Sequence, residues 1–169
     1  MSEEKIKIVV IDDEADLCVF MKAVLEKDGR LEVAATTNPL QAETMIRQVM
    51  PQLILTDIVM PDRLGTDIIA ALKKDQELKR IPVIVASGKG EMFFDKKKNA
   101  FTWSPNNPLA VKARTIIPAA RGASAIAEAY GVQDFIAKPF KEEILLQVVS
   151  EVIARYKPVQ EDEDTRGFV

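Results

Sequence analysis

Asp12, Asp13 and Glu14 stand in a row directly after the apolar run Ile8-Val9-Val10-Ile11, and Asp57 directly follows Leu53-Ile54-Leu55-Thr56. Ser87 closes a third apolar run, and Lys138, followed by Pro139, closes a fourth. Carboxylates crowded at one edge repel each other, and burial makes the repulsion worse. A hard divalent cation relieves it, and Mg²⁺ suits an incomplete carboxylate cage because it keeps waters and takes phosphate oxygens. A carboxylate can also be the nucleophile toward phosphorus, with the metal neutralising charge on the group in transit. A lysine brings a second positive charge to the phosphoryl oxygens, and a serine brings a hydroxyl donor. The chemistry open to this set is phosphoryl transfer onto a carboxylate.

Each residue also has a plainer reading. Asp12 and Asp13 could be solvated caps of a helix, Asp57 a turn residue before Pro61, Ser87 a loop hydroxyl beside Gly88 and Lys138 a surface lysine. What favours the chemical reading is the placement of all of them. In open parallel sheets, ligands bind beyond the carboxyl ends of the strands, and each of these residues ends an apolar run.

The elements that must position them follow from the apolar pattern. Residues 5–11 read as a buried strand rich in Ile and Val. Leu17, Phe20, Met21, Val24 and Leu25 then keep helical spacing, with Gly29 as the expected C-cap. A second strand is expected over 31–36 and a second helix over 39–50, with Pro39 in its first turn. The third strand and helix fall on 52–56 and 65–74, and the fourth strand on 82–86. A fourth helix over 118–130 ends at Gly131, a fifth strand covers 134–137, and a final helix covers 141–156. Strand then helix, five times over, predicts an α/β fold: a doubly wound parallel sheet of five strands, covered on both faces.

One stretch breaks the rhythm. Loops between strand and helix usually run about 2–6 residues, yet residues 89–117 lie between the fourth strand and the fourth helix without clean periodicity. They read as an insertion. Over 89–121 there are seven Lys/Arg against Glu91 and Asp95, together with Phe93, Phe94, Phe101 and Trp103. A purely flexible loop has no need of four aromatics. The insertion is expected to displace or remodel the region of the fourth helix. Residues 1–156 then form one domain, and 157–169, with the run Glu161-Asp162-Glu163-Asp164, read as an acidic, disordered tail.

Composition limits the alternatives. The chain has 169 residues, 47% apolar and 29% charged, with a net charge of -3, so no global pull toward nucleic acid or anionic membrane is expected. The single cysteine, Cys18, allows no intrachain disulfide and suits a reducing, cytoplasmic setting; it reads as a core thiol on a helix. Residues 1–7 lack the apolar stretch of a signal peptide, and no run approaches the roughly 20 apolar residues of a membrane span. There is no histidine. A Ser-His-Asp triad and histidine metal sites are therefore excluded. Any phosphoryl group must be held on oxygen and received from another molecule.

With these motifs in place, the sequence resembles the receiver domains of two-component response regulators. The resemblance rests on Val10-Ile11-Asp12-Asp13-Glu14, Thr56-Asp57-Ile58-Val59-Met60-Pro61, Val85-Ala86-Ser87-Gly88 and Phe135-Ile136-Ala137-Lys138-Pro139-Phe140. It covers about residues 5–156 without the insertion. It implies a flavodoxin-like sheet of strand order 2-1-3-4-5. It also implies that Asp57 accepts a phosphoryl group from a sensor histidine kinase or phosphotransfer protein. Asp13 and Asp57 would ligate Mg²⁺ directly, Asp12 mainly through water, and the backbone carbonyl of Val59 would be a further ligand. Ser87 and Lys138 would bind the phosphoryl group, and Lys138–Pro139 would be cis. Ser87 would then move toward the phosphoryl group while Phe135 turns inward, changing the affinity of the last helices and strand for a downstream protein.

The chain departs from the family in two ways besides the insertion. Val59 stands where many relatives place a polar residue, and Lys89 stands two past Ser87. An apolar Val59 cannot orient an attacking water, so slow intrinsic loss of phosphate is expected. No output domain fits within 157–169, which points to a stand-alone receiver, a monomer or weak dimer that acts through protein contacts. It would catalyse only its own phosphorylation and dephosphorylation. No helix-turn-helix pattern follows, so direct DNA binding is not expected. Two other classes compete. A phosphorylation-independent scaffold would take up no phosphoryl group. An aspartate-based phosphohydrolase, as in the haloacid dehalogenase superfamily, would carry its nucleophile in an Asp-x-Asp pattern after the first strand. Here that place reads Asp12-Asp13-Glu14, and Asp57 has no part in such a scheme.

Overall fold

The chain was analysed as a computed structural model that describes residues 3–87, 92–95, 100–103 and 131–156. Elements run in the order β1 (Ile6–Ile11), α1 (Ala15–Glu26), β2 (Leu31–Thr36), α2 (Ala42–Val49), β3 (Leu53–Thr56), α3 (Gly65–Lys74), β4 (Val83–Ser87), β5 (Met92–Asp95), β6 (Ala100–Trp103), β7 (Asp134–Ala137) and α4 (Glu142–Arg155). Single 3₁₀ turns over Pro39–Gln41 and Leu78–Arg80 lead into α2 and β4.

Five strands form one parallel sheet in the order β2-β1-β3-β4-β7. This is the expected order 2-1-3-4-5, with β7 as the fifth sheet strand. Its two-sided burial follows from the period of two along each strand. Ile8 and Val10 of β1 pack on one side with Cys18, Met21 and Leu25 of α1 and Leu145, Val148 and Val152 of α4. Val9 and Ile11 pack on the other with Ile46 of α2 and Ile68, Ile69 and Leu72 of α3. A strand apolar at every position thus requires helices on both faces. Cys18 is a core thiol as expected; its Sγ lies 3.2 Å from Asp12 O, and burial pushes its pKa up to about 11.

Several local expectations are corrected. Gly29 does not cap α1: the helix ends at Glu26, and Lys27 closes it in right-handed helical geometry. The second helix is shorter than 39–50, because Pro39 starts a 3₁₀ turn held by the Asn38 side chain, and α2 begins only at Ala42. The fourth strand covers Val83–Ser87 instead of 82–86, and it ends in Ser87 as expected. The insertion is not without regular structure: β5 and β6 pair antiparallel as a separate two-stranded sheet. Both strands follow β4 within the expected span 89–117, whose other residues lie outside the described ones. The fourth helix over 118–130 and the tail over 157–169 lie outside the described residues, as does Lys89.

Two backbone positions are under steric constraint. Met50 ends α2 in the left-handed region, with φ 48° and ψ 64°, and is largely exposed. Gly65, the first residue of α3, is packed against the end of β3. A Cβ there would stand 1.9 Å from Asp57 O and 3.0 Å from Ile58 Cα. Its own N–H donates to Ile58 O at 2.7 Å.

Gly65→Ala is therefore expected to lower stability by at least about 2 kcal/mol, the upper range of core overpacking, because the obstacle is backbone and cannot swing away. Chemical denaturation checks this. Met50→Gly should do the opposite, raising the melting midpoint by a few degrees, since a side chain in the left-handed region costs roughly 1–2 kcal/mol and glycine relieves most of it. A thermal melt that drops instead would refute this reading of the α2 terminus.

Candidate phosphoacceptor site

The parallel register brings the ends of β1 and β3 side by side, pairing Ile11 with Thr56. Asp12 and Asp57, the next residues on each strand, therefore emerge together. Asp57 N donates to Ile11 O at 2.9 Å and Asp12 N to Thr36 O at 3.2 Å, so the sheet ladders run right up to both aspartates. Each is only 1% exposed. Two ionised carboxylates buried this closely need compensation.

Lys138 provides it. The residue follows β7, and β7 lies beyond β4 from β3, so its side chain reaches across the end of β4. Its Nζ lies 2.6 Å from Asp12 Oδ2 and 3.0 Å from Asp57 Oδ2, with Glu14 Oε1 at 3.5 Å. The Lys138–Pro139 peptide is cis, as expected. Burial opposes the lysine's charge, but its bonds and attraction to Asp12 and Asp57 outweigh burial and hold its pKa above the usual value. Asp12 has the reverse balance. Burial pushes its carboxyl above the usual range, and the Lys138 bond and the Glu14 N–H reduce that rise without cancelling it.

The remaining acceptor atoms are ordered by the backbone. Asp12 Oδ1 accepts from Glu14 N at 2.9 Å. Asp57 Oδ1 accepts from Ile58 N at 2.7 Å, and the Thr56 hydroxyl donates to Asp57 O at 2.9 Å. Asp13 joins them: ligand oxygens of Asp12, Asp13 and Asp57 all lie within 4.8 Å of one another. Three carboxylate oxygens at that spacing are a hard donor set that suits Mg²⁺. The fit is to an incomplete cage, since Lys138 already pairs with two of the three.

The other expected residues are placed less fully. Val59 lies in the turn after Asp57, half-buried against the α2 and α3 side of the core. In the same loop Asp62 adopts φ 68°, Arg63 N donates to Pro61 O at 2.8 Å, and Arg63 pairs with Glu43 of α2. Phe135 is half-buried against the same core side and pairs in register with Val85 of β4. The backbone of Ser87 pairs with Ala137, which sets it at the same sheet end as Lys138; its hydroxyl lies outside the described residues. Gly65 was not anticipated from the sequence. It permits α3 to start directly against the Asp57 carbonyl, and the only hint is a glycine where a helix is expected to begin.

Known proteins agree with this geometry. A family model described as response regulator receiver domain matches residues 8–100. The Pseudomonas aeruginosa protein PilH is 28% identical over 148 residues, covering 88% of this chain and 98% of PilH. Histidine kinase P4 of Formosa agariphila is 28% identical over 92 residues, 54% of this chain and only 7% of that protein. Among solved structures, the receiver domain of a histidine kinase from Syntrophus aciditrophicus superposes with a TM-score of 0.64 at 22% identity, covering 92% of this chain and 95% of that one. At such identity the superposition speaks for the fold alone. Among the described residues no helix is long and apolar enough to cross a membrane. Sheet order, acidic strand ends and a match over more than half of the chain agree: this protein belongs to the response regulator receiver domain family of two-component signalling.

Proposed function

We propose that this receiver accepts a phosphoryl group on Asp57 and acts as a stand-alone switch of protein contacts. One observation carries the reading. Lys138 Nζ, on a half-buried residue, bonds both Asp12 and Asp57, at 2.6 Å and 3.0 Å, which sets a cation beside the carboxylate that would act as nucleophile.

In this scheme Asp57 Oδ2, the oxygen that faces Lys138, attacks phosphorus of a phosphohistidine on a sensor kinase or phosphotransfer protein. The P–N bond breaks, and its electron pair stays with the donor nitrogen. Ile58 N, which holds Asp57 Oδ1 at 2.7 Å, fixes the orientation of the carboxylate. Lys138 turns its charge from Asp57 to the incoming phosphoryl oxygens, and Ser87 donates its hydroxyl to the same group. Asp12, Asp13 and Asp57, with the carbonyl of Val59, would hold Mg²⁺, which neutralises charge on the transferred group when bound. The added anion then shifts a pre-existing equilibrium, with Ser87 and Phe135 as its moving parts and a downstream protein as its reader.

Incubation with Mg²⁺ and a small phosphodonor is expected to add one phosphoryl mass to the wild type and none to Asp57→Asn. An unchanged wild-type mass would favour a phosphorylation-independent scaffold, and steady turnover of a generic aryl phosphate would favour a phosphohydrolase. The lifetime of the phosphorylated form should be long, because the Val59 side chain offers no polar atom to align water. Val59→Asn is expected to shorten it several-fold when decay is followed by the same mass measurement. Decay within seconds in the wild type, little altered by the substitution, would contradict the role given to Val59.

A further inference from the structure

β2 is one edge of the parallel sheet. An edge strand presents N–H and C=O groups that can template another strand. The β1 ladder fixes which residues of β2 face outward. Ile6 N donates to Arg30 O at 2.9 Å and Asp12 N to Thr36 O at 3.2 Å, so the even-numbered residues from 30 to 36 turn their peptide groups toward β1. The alternating pattern turns those of Leu31, Val33 and Ala35 away from it.

Part of that outward edge is already engaged. Leu31 N donates to Asp28 O at 2.9 Å, in the turn that leads into the strand. At Val33, in the middle of the strand, both polar groups are taken by side chains of α1. Val33 N donates to Glu26 Oε1 at 3.0 Å, and Val33 O accepts from Lys22 Nζ at 2.6 Å. Lys22 and Glu26 lie one helical turn apart and are joined at 2.8 Å. The two charged groups thus bond the strand edge as a neighbouring strand would, one acceptor and one donor on the same residue. Their side chains are 48% and 35% exposed, so they stand between the strand edge and solvent.

An exposed i,i+4 ion pair contributes little to stability by itself. Its bonds to the strand give it another task. We infer that Lys22 and Glu26 lock the β2 edge, keeping the extended backbone of a second copy of this chain from adding to the sheet. Lys22 and the Val33 N–H also hold the Glu26 carboxyl below the usual carboxylate range. The lock is independent of Asp57 chemistry, since neither residue contributes to the acidic site.

The test compares the wild type with Lys22→Ala/Glu26→Ala by sedimentation velocity over a concentration series, with residue-resolved amide exchange and circular dichroism. The folded double variant is expected to form a larger, concentration-dependent species that the wild type lacks, with slowed exchange at Val33 and Ala35 within it. Lys22→Arg/Glu26→Gln keeps a donor and an acceptor and should sediment as the wild type does. A folded double variant with wild-type sedimentation overturns the lock, and so does association that leaves the β2 amides unprotected. Should the double variant unfold, Glu26→Ala alone decides by the same two readings.

Discussion

Asp12 and Asp57 end neighbouring strands with almost no access to solvent, and the rest of the molecule has to make that pairing tolerable. Removing one partner from a buried ion pair typically costs about 3–5 kcal/mol, because the charge left behind is uncompensated. The compensating cation comes from Lys138, 126 residues from Asp12 along the chain. The strand order β2-β1-β3-β4-β7 makes the long separation workable. It puts the two acids on the central strands, and it sets the lysine at the end of a strand only one position beyond β4. A hairpin topology would not bring all these strand ends to the same edge of the sheet. The right-handed parallel crossover does so as a matter of course.

The same constraint explains the loop after β3. Asp57 must stay buried while its carboxylate faces the edge, so the chain has to turn sharply and return as α3. It does so by running Gly65 against the Asp57 carbonyl, within the space a methyl group would need. The left-handed Asp62 and the Arg63–Glu43 pair shape and fasten the outer part of the turn. The loop is thus held at both ends by short contacts. That rigidity suits a site in which Ile58 N fixes one carboxylate oxygen while the other faces Lys138.

The parts legible in the sequence are those encoded locally. Apolar runs such as Ile8–Ile11 and Leu53–Leu55 announce buried strands, and the polar residue that ends each run falls at the sheet edge by geometry alone. Asp12, Asp57 and Lys138 could therefore be found together without any structure. What escaped depends on contacts through space. Gly65 reads as an ordinary residue at a helix start, and its role appears only when the Asp57 carbonyl is placed beside it. Gly29 carries the usual signature of a C-cap, yet α1 closes two residues earlier on Lys27, and Asp28 bonds Arg30 in the turn that leads into β2. β5 and β6 are four residues each, separated by Lys96-Lys97-Lys98-Asn99. Strands so short give a period of two little room to show, so their pairing was invisible as pattern.

The electrostatics of the site also say why a single lysine does not complete it. Lys138 divides its bonds between Asp12 and Asp57, with Glu14 slightly farther away, while Asp13 adds a further carboxylate within 4.8 Å of the pair. One cation faces several acids. Both partners shift in the same direction, for different reasons. Lys138 holds its proton more firmly than usual because the acids around it outweigh its burial. Asp12 also holds its proton more firmly than usual, because burial outweighs the single lysine it shares. A pair in full balance would raise the lysine and lower the acid. Here the acid stays raised because its burial exceeds what Lys138 and the Glu14 N–H return. The Asp12, Asp13 and Asp57 oxygens within 4.8 Å of one another are a donor set of the kind a hard divalent cation takes. A phosphoryl group on Asp57 would add negative charge to the same place, beside Lys138 and the oxygens of Asp12 and Asp13.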